Sequence, residues 1–237
     1  MTSPSQVLGV RIMSFQGGLL TSEIATIFAE EIAAQGGTVT DTFDDGARLF
    51  QRAVLPDERE VQHRDRVQGG VALRATDDDV WIHPYVFRKV CANGAIIARA
   101  IQTRHIERSE FVSYDDAEVE LAGAVREAIR DCCAPEAFEN ATEAIRSSIH
   151  SPVDMALNLA WMFSRMPEEI RSEFFTRILD QFSKSSNHSR FDWMNAVTAT
   201  ARNVTDPEAR WRLEELGGAI PFDTETPVRK RHHVFTA

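Results

Sequence analysis

The chain has 237 residues, 43% hydrophobic and 26% charged, with a formal net charge of −10. That is enough apolar material for one large core or two modest ones, and it excludes a fibrous or wholly disordered chain. An acidic balance also excludes a general electrostatic attraction to nucleic acid, so any such contact has to be local.

Taken in chain order, residues 6 to 14 alternate in the manner of a strand. Thr21-Ser22-Glu23 supplies capping residues before Ile24, Phe28 and Ile32. Gly36-Gly37 supplies a left-handed stop, so the spacing predicts a helix from about Ser22 to Gln35. Thr38 to Phe43 and Arg48 to Leu55, joined through Asp44-Asp45-Gly46, read as a hairpin. Pro56 to Arg66 is a loop or an exposed strand extension. Val67 to Ala75 and Val80 to Cys91 flank Thr76-Asp77-Asp78-Asp79, a turn whose Asp side chains can bond nearby amides.

The run from Trp81 through Arg99 alternates apolar and basic residues around Asn93-Gly94, a strong short-range hairpin signal. Ala95 to Glu107 also fits a helical period through Ile97, Ile101 and Arg104. Val80 to Arg108 holds five bases and one acid, Glu107. A basic ribbon on an acidic chain suggests phosphate contact, although charged residues also simply solvate the outer face of a sheet.

After Tyr114 the period changes from two to 3.6. Glu118, Leu121, Val125, Ala128 and Ile129 share one face, and Ala134-Pro135 interrupts the helix. Ser151-Pro152, Pro167-Glu168 and Asp206-Pro207 announce further helices, and Gly217-Gly218 closes the last. Asp192 is placed as the N-cap of a helix that buries Trp193, Ala196, Val197 and Thr200, with Asn195 a buried amide tying it to the sheet. The expected class is α+β: a twisted antiparallel sheet with one early helix over residues 1–110, a helical region over 111–220, and a flexible basic tail over 221–237. Charge divides unevenly, net −3, −8 and +1 over these regions in turn.

No apolar run approaches the roughly 20 residues of a spanning helix, and the start Met1-Thr2-Ser3-Pro4-Ser5 lacks a signal-peptide pattern, so no membrane association and a bacterial-type cytoplasm are expected. Cys91, Cys132 and Cys133 make neither a disulfide framework nor a metal-ligand spacing, and are expected reduced. His83, His105 and Asp77 to Asp79 likewise close no metal site, and no base is brought to Cys91. No catalytic residue, metal or cofactor is assigned.

Phe87-Arg88-Lys89-Val90-Cys91-Ala92-Asn93-Gly94, then Trp193-Met194-Asn195-Ala196-Val197-Thr198 and Leu213-Glu214-Glu215-Leu216-Gly217-Gly218, resemble a family of phage- and plasmid-encoded bacterial proteins catalogued as a domain of unknown function. The resemblance spans roughly residues 49 to 220. Members commonly carry an Asn-Ser pair and a glycine before the first motif, where this chain has Arg74-Ala75-Thr76-Asp77-Asp78-Asp79. The resemblance implies a mobile-element context and no established catalytic residue.

The resulting expectation is a protein that binds single-stranded nucleic acid, in annealing or accessory recombination. Arg88, Lys89, Arg99, Arg104 and Arg108 would form a phosphate track, with Trp81 and Tyr85 as stacking platforms. Asn93, Gly94, Trp193 and Asn195 serve as structural motif residues. Self-association would multiply a short track into a continuous one, by analogy with phage annealing proteins that form rings or filaments. The rival expectation is a non-catalytic interaction or regulatory factor whose acidic helical half binds a host protein.

Overall fold

The computed structural model describes residues 19–111, 116–185 and 187–222, without the side chain of Glu169. The expected strand at residues 6–14 lies outside the described residues, as do Arg229, Lys230, Arg231, His232 and His233.

The fold is α+β, as the patterning predicts: an early helix, a curled antiparallel sheet, then an all-helical half. Helix α1 (Thr21–Ala34) buries the stripe Ile24, Ile27, Phe28 and Ile32. Its capping differs from the expectation. The Thr21 hydroxyl donates to Asp44 at 3.0 Å instead of capping, while the Glu23 carboxylate accepts the Leu20 N–H at 2.7 Å. Gly36, at φ 72°, turns the chain out of the helix.

Strands β1 (Thr38–Asp44), β2 (Leu49–Gln62), β3 (Asp65–Ala75) and β4 (Asp79–Arg88) form a meander. The stretch from Pro56 is the continuation of β2, paired with β3 as far as Gln62↔Asp65. At the β1–β2 turn Asp44 and Asp45 accept backbone N–H groups of Gly46, Ala47 and Arg48. In the β3–β4 turn the Thr76 hydroxyl accepts the N–H groups of Asp78 and Asp79, so the hydroxyl and not the aspartates closes it.

Strands β5 (Asn93–Ile96) and β6 (Arg104–Glu107) both pair with β4, β5 at its C-terminal end and β6 at its N-terminal end. Ala95 to Glu107 is therefore two short strands around a turn, not a helix. The Asn-Gly pair is also displaced from its expected role: Arg88 pairs with Asn93 and Phe87 with Gly94, so the reversal is Lys89 to Ala92, with Ala92 at φ 50°. Asn93 and Gly94 are buried strand residues.

The sheet is covered on both faces. Leu49, Ala53, Val71, Leu73, Ala75, Val80 and Ile82 pack with α1 and with Leu121, Val125, Ala128 and Ile129 of α2 (Ala117–Cys132). Val61, Val67 and Val86 continue on α3 (Pro135–Ile149), whose Phe138 lies over Gly69. Phe50, Ala72, Tyr85 and Ile96 face Trp211 of α7 (Pro207–Ala219) on the other side. Between α3 and α7 run α4 (Met155–Arg165), α5 (Glu168–Ser183) and α6 (Arg190–Arg202).

Helix α4 starts at the Asp154 cap rather than at Pro152, which bridges to Ser189. Asp192 is not the N-cap of α6. Ser189 is, and the two close a capping box: the Ser189 hydroxyl accepts the Asp192 N–H at 3.2 Å, and the Asp192 carboxylate accepts the Ser189 N–H at 3.0 Å. Trp193, Ala196, Val197 and Thr200 are buried as the spacing predicts. Gly217 and Gly218 do not end α7, which continues through Ala219. A Cβ on Gly218 would overlap the backbone of Ile96, so the glycines let α7 close onto β5.

Beneath α7 lies an ionic cluster with a buried centre. Arg52 donates to Glu214 at 2.6 Å and to Asp41 at 3.0 Å, and Arg210 reaches the same two carboxylates at 3.0 and 2.8 Å. Arg52 and Glu214 side chains are each 2% exposed.

Candidate functional site

The cations of the expected track are divided between the two ends of β4, since β5 and β6 pair with opposite ends of it. Most have partners within the protein. Arg88 grips Asp65 with Nε and Nη2, at 2.9 and 2.6 Å, in a fork geometry that suits a carboxylate. Lys89 meets Glu58 at 2.6 Å, holding that carboxyl below its usual range, and Arg104 meets Asp131 at 2.6 Å. Arg108 donates to the carbonyls of Thr76 and Leu19. Arg99 lies in a different cleft, beside α7. A single continuous track therefore does not form along this strand.

The aromatic platforms fare similarly. Tyr85 is 3% exposed and packs in the core, because β4 turns it toward α7. Burial raises its hydroxyl pKa. Trp81 is half-buried and stacked on His105, with ring centres 3.8 Å apart and planes 14° apart. Trp81 keeps partial exposure, but Tyr85 offers no base a surface.

Residues from the first two sequence motifs meet instead around a polar pocket of about 600 Å³ between the β4–β5 hairpin and α6. Arg88, Cys91 and Asn93 come from the hairpin; Asp192, Asn195, Ala196 and Ala199 come from α6. Gln62 enters from the β2–β3 turn, Gln181, Lys184 and Ser185 from the end of α5, and Arg202 and Asn203 from the end of α6. Six carboxamides line it (Gln62, Asn93, Gln181, Asn187, Asn195 and Asn203), with three cations and one carboxylate, Asp192. Two of the cations are paired, Arg88 with Asp65 at 2.6 Å and Lys184 with Asp180 at 2.7 Å.

Hydrogen bonds fix the walls. Arg88 Nη1 reaches the Cys91 sulfur at 3.3 Å while its guanidinium stacks 4.9 Å from the Phe191 ring centre. Arg202 Nη1 donates to the Cys91 carbonyl at 2.7 Å, tying α6 to the hairpin turn. Asn195 is half-buried rather than buried, and its Oδ1 has no hydrogen-bond partner among the described residues. It lines the pocket and does not serve as the expected tie to the sheet.

Cys91 is half-buried in the turn. Burial pushes the Cys133 thiol up to about 12 and raises that of Cys132 as well, which keeps both protonated. Among the described residues no three His, Cys, Asp or Glu side chains are grouped to hold a metal ion, and no helix is long and apolar enough to cross a membrane.

The sequence reading singled out Arg88, Asn93 and Asn195 but did not connect them. Gln62, Gln181, Lys184, Asn187, Arg202 and Asn203 sit at helix ends and turns, where no periodicity marks them. The one sequence signal is the polar run Lys184-Ser185-Ser186-Asn187-His188-Ser189 between two helices. Comparison with known proteins adds no relative: no family model, no curated protein and no solved structure matches the chain.

Proposed function

We propose that the protein binds single-stranded nucleic acid, in the cytoplasm of a bacterial-type cell and in the phage or plasmid context that its motifs resemble, and that the polar pocket between the β4–β5 hairpin and α6 takes one nucleotide of the strand. The observation that carries the reading is the pocket's composition: six carboxamides together with Arg202 and with Lys184, whose partner Asp180 is a surface carboxylate. Cations supply phosphate contacts, and Asn or Gln carboxamides match the paired donor and acceptor edges of bases. A cavity of about 600 Å³ also falls within the range of small-ligand sites. Recognition of an unpaired base in a pocket is the usual way proteins read single strands.

The strand-borne cations contribute less than the sequence suggests, since Arg88, Lys89 and Arg104 already hold carboxylates. One pocket per subunit offers few phosphate contacts, and self-association would bring several pockets onto one strand. Annealing or an accessory role in recombination is the activity this arrangement would serve.

The test is fluorescence anisotropy of labelled single-stranded oligonucleotides at low ionic strength. Arg202 and Lys184 are exposed at the pocket, so the double variant Arg202→Gln, Lys184→Gln should fold and bind more weakly. Losing two phosphate contacts should reduce the slope of log affinity against log salt by about 1.4 units for a single strand. A folded protein that binds no oligonucleotide at low salt refutes the proposal.

A further inference from the structure

A second cleft, of about 760 Å³, opens between the junction of α4 with α5 and the outer side of α7. Its character differs from that of the polar pocket. Met166 and Pro167 from the junction, Ile170 from α5 and Leu216 from α7 give it an apolar wall, widened by the short side chains of Ala98 and Ala209. Arg99, Arg165 and Arg212 stand against Asp206, Glu208 and Glu215 among its lining residues.

The three carboxylates are already engaged by the protein. Asp206 caps α7, accepting the Ala209 N–H at 2.7 Å. Glu208 lies between Arg74 at 3.0 Å and Arg212 at 3.1 Å. Glu215 takes Arg212 at 3.4 Å and faces the buried His83 at 3.7 Å. Burial raises its pKa, against the lowering effect of the Arg212 and Arg74 guanidinium groups. Arg165 is different. Its guanidinium stacks 5.0 Å from the Trp161 ring centre, and no carboxylate among the described residues lies within ion-pair distance.

We infer that this cleft is a binding site for a small amphipathic carboxylate, with its apolar body on Ile170 and Leu216 and its head on Arg165. An apolar wall beside an exposed guanidinium that has no carboxylate partner among the described residues matches a ligand with one apolar part and one anionic part. A singly charged head is favoured over a phosphate, because Asp206, Glu208 and Glu215 stay close enough to repel a second negative charge. This site is independent of the nucleic-acid reading.

Decanoate, kept below the concentration at which it aggregates, is the probe, titrated into the full chain by calorimetry and followed by intrinsic tryptophan fluorescence, with Trp161→Phe to assign the change. The expected result is saturable one-to-one binding, at least tenfold tighter than that of decanol or decyltrimethylammonium. Arg165→Gln, whose side chain is exposed, should lose about tenfold toward decanoate and nothing toward decanol, with an unchanged melting curve. Equal binding of decanol and decanoate, no saturable binding, or an unaffected Arg165→Gln variant overturns the inference.

Discussion

The Tyr85 hydroxyl fills the space in which Gly94 would carry a side chain: a Cβ there would overlap the phenol oxygen, and the ring carbons behind it are little farther away. Both residues are buried and lie on neighbouring strands, β4 and β5. Gly94 is therefore a packing glycine, required by the close approach of an aromatic ring and not by a turn.

Gly94→Ala should destabilise the fold by about 3 kcal/mol, at the upper end for overpacking a dense core. Combined with Tyr85→Leu, which vacates the space, the cost should be less than the sum of the two single changes. Urea denaturation of the four proteins of the cycle measures the coupling. Strict additivity would show that the overlap is relieved elsewhere.

Arg88→Gln should be destabilising even though the sequence reading makes Arg88 a surface cation. It leaves Asp65, with a side chain 5% exposed, as a buried carboxylate served, among the described residues, by Gln62 at 3.2 Å. The expected loss is about 3 kcal/mol, the scale of a buried pair broken on one side. Adding Asp65→Asn should recover part of it, because the stranded charge is removed. Chemical denaturation decides, and a neutral Arg88→Gln would return the residue to the solvated face of the sheet.

Trp193→Ala should lose about 3 to 5 kcal/mol, the range for truncating a buried aromatic. Trp193 is fully buried and meets Phe182 edge to face, with ring centres 4.7 Å apart. Thermal and urea melts measure it. A variant of normal stability that had lost only a ligand would show that Trp193 serves binding and not packing.

His83 gives the protein a pH dependence of defined sign. Burial holds it at about 4, down from 6.5, so between those values the unfolded chain takes up a proton that the folded protein refuses. Stability should therefore fall as the pH drops through this window, by about 3 kcal/mol from this residue alone. Glu215, raised by burial, contributes the opposite slope above the ordinary carboxylate range. Measuring wild type and His83→Gln from pH 7 to pH 4 separates them. The stability difference between the two proteins should shift toward the variant as the pH falls, and parallel curves would show that His83 titrates normally.

Much of the fold is legible in the sequence because the signals are local. The stripe Ile24, Phe28, Ile32 fixes a helix face, Asp44-Asp45-Gly46 builds its own turn, Pro135 separates two helices, and Pro167 and Asp206 start helices with their own backbone geometry or side chains. The misplaced features are those with two local readings. Asn93-Gly94 and Gly217-Gly218 look like a turn and a stop, yet Tyr85 and the Ile96 backbone approach Gly94 and Gly218 so closely that only glycine fits.

The candidate site was legible only in fragments. Arg88, Asn93 and Asn195 stand out, but the pocket needs Gln62 beside them, and Arg202 and Asn203 from the far end of α6. By itself the sequence determined the kind and order of most elements, since periodicity, caps and turn residues act over a few positions, but it left Ala95 to Glu107 between strand and helix. Tertiary structure alone decided that Arg88 serves Asp65, that Tyr85 faces inward, and that a polar pocket forms where the hairpin meets α6. Ion pairing, close approach and concavity depend on residues far apart in the chain, which only packing brings within a few ångströms.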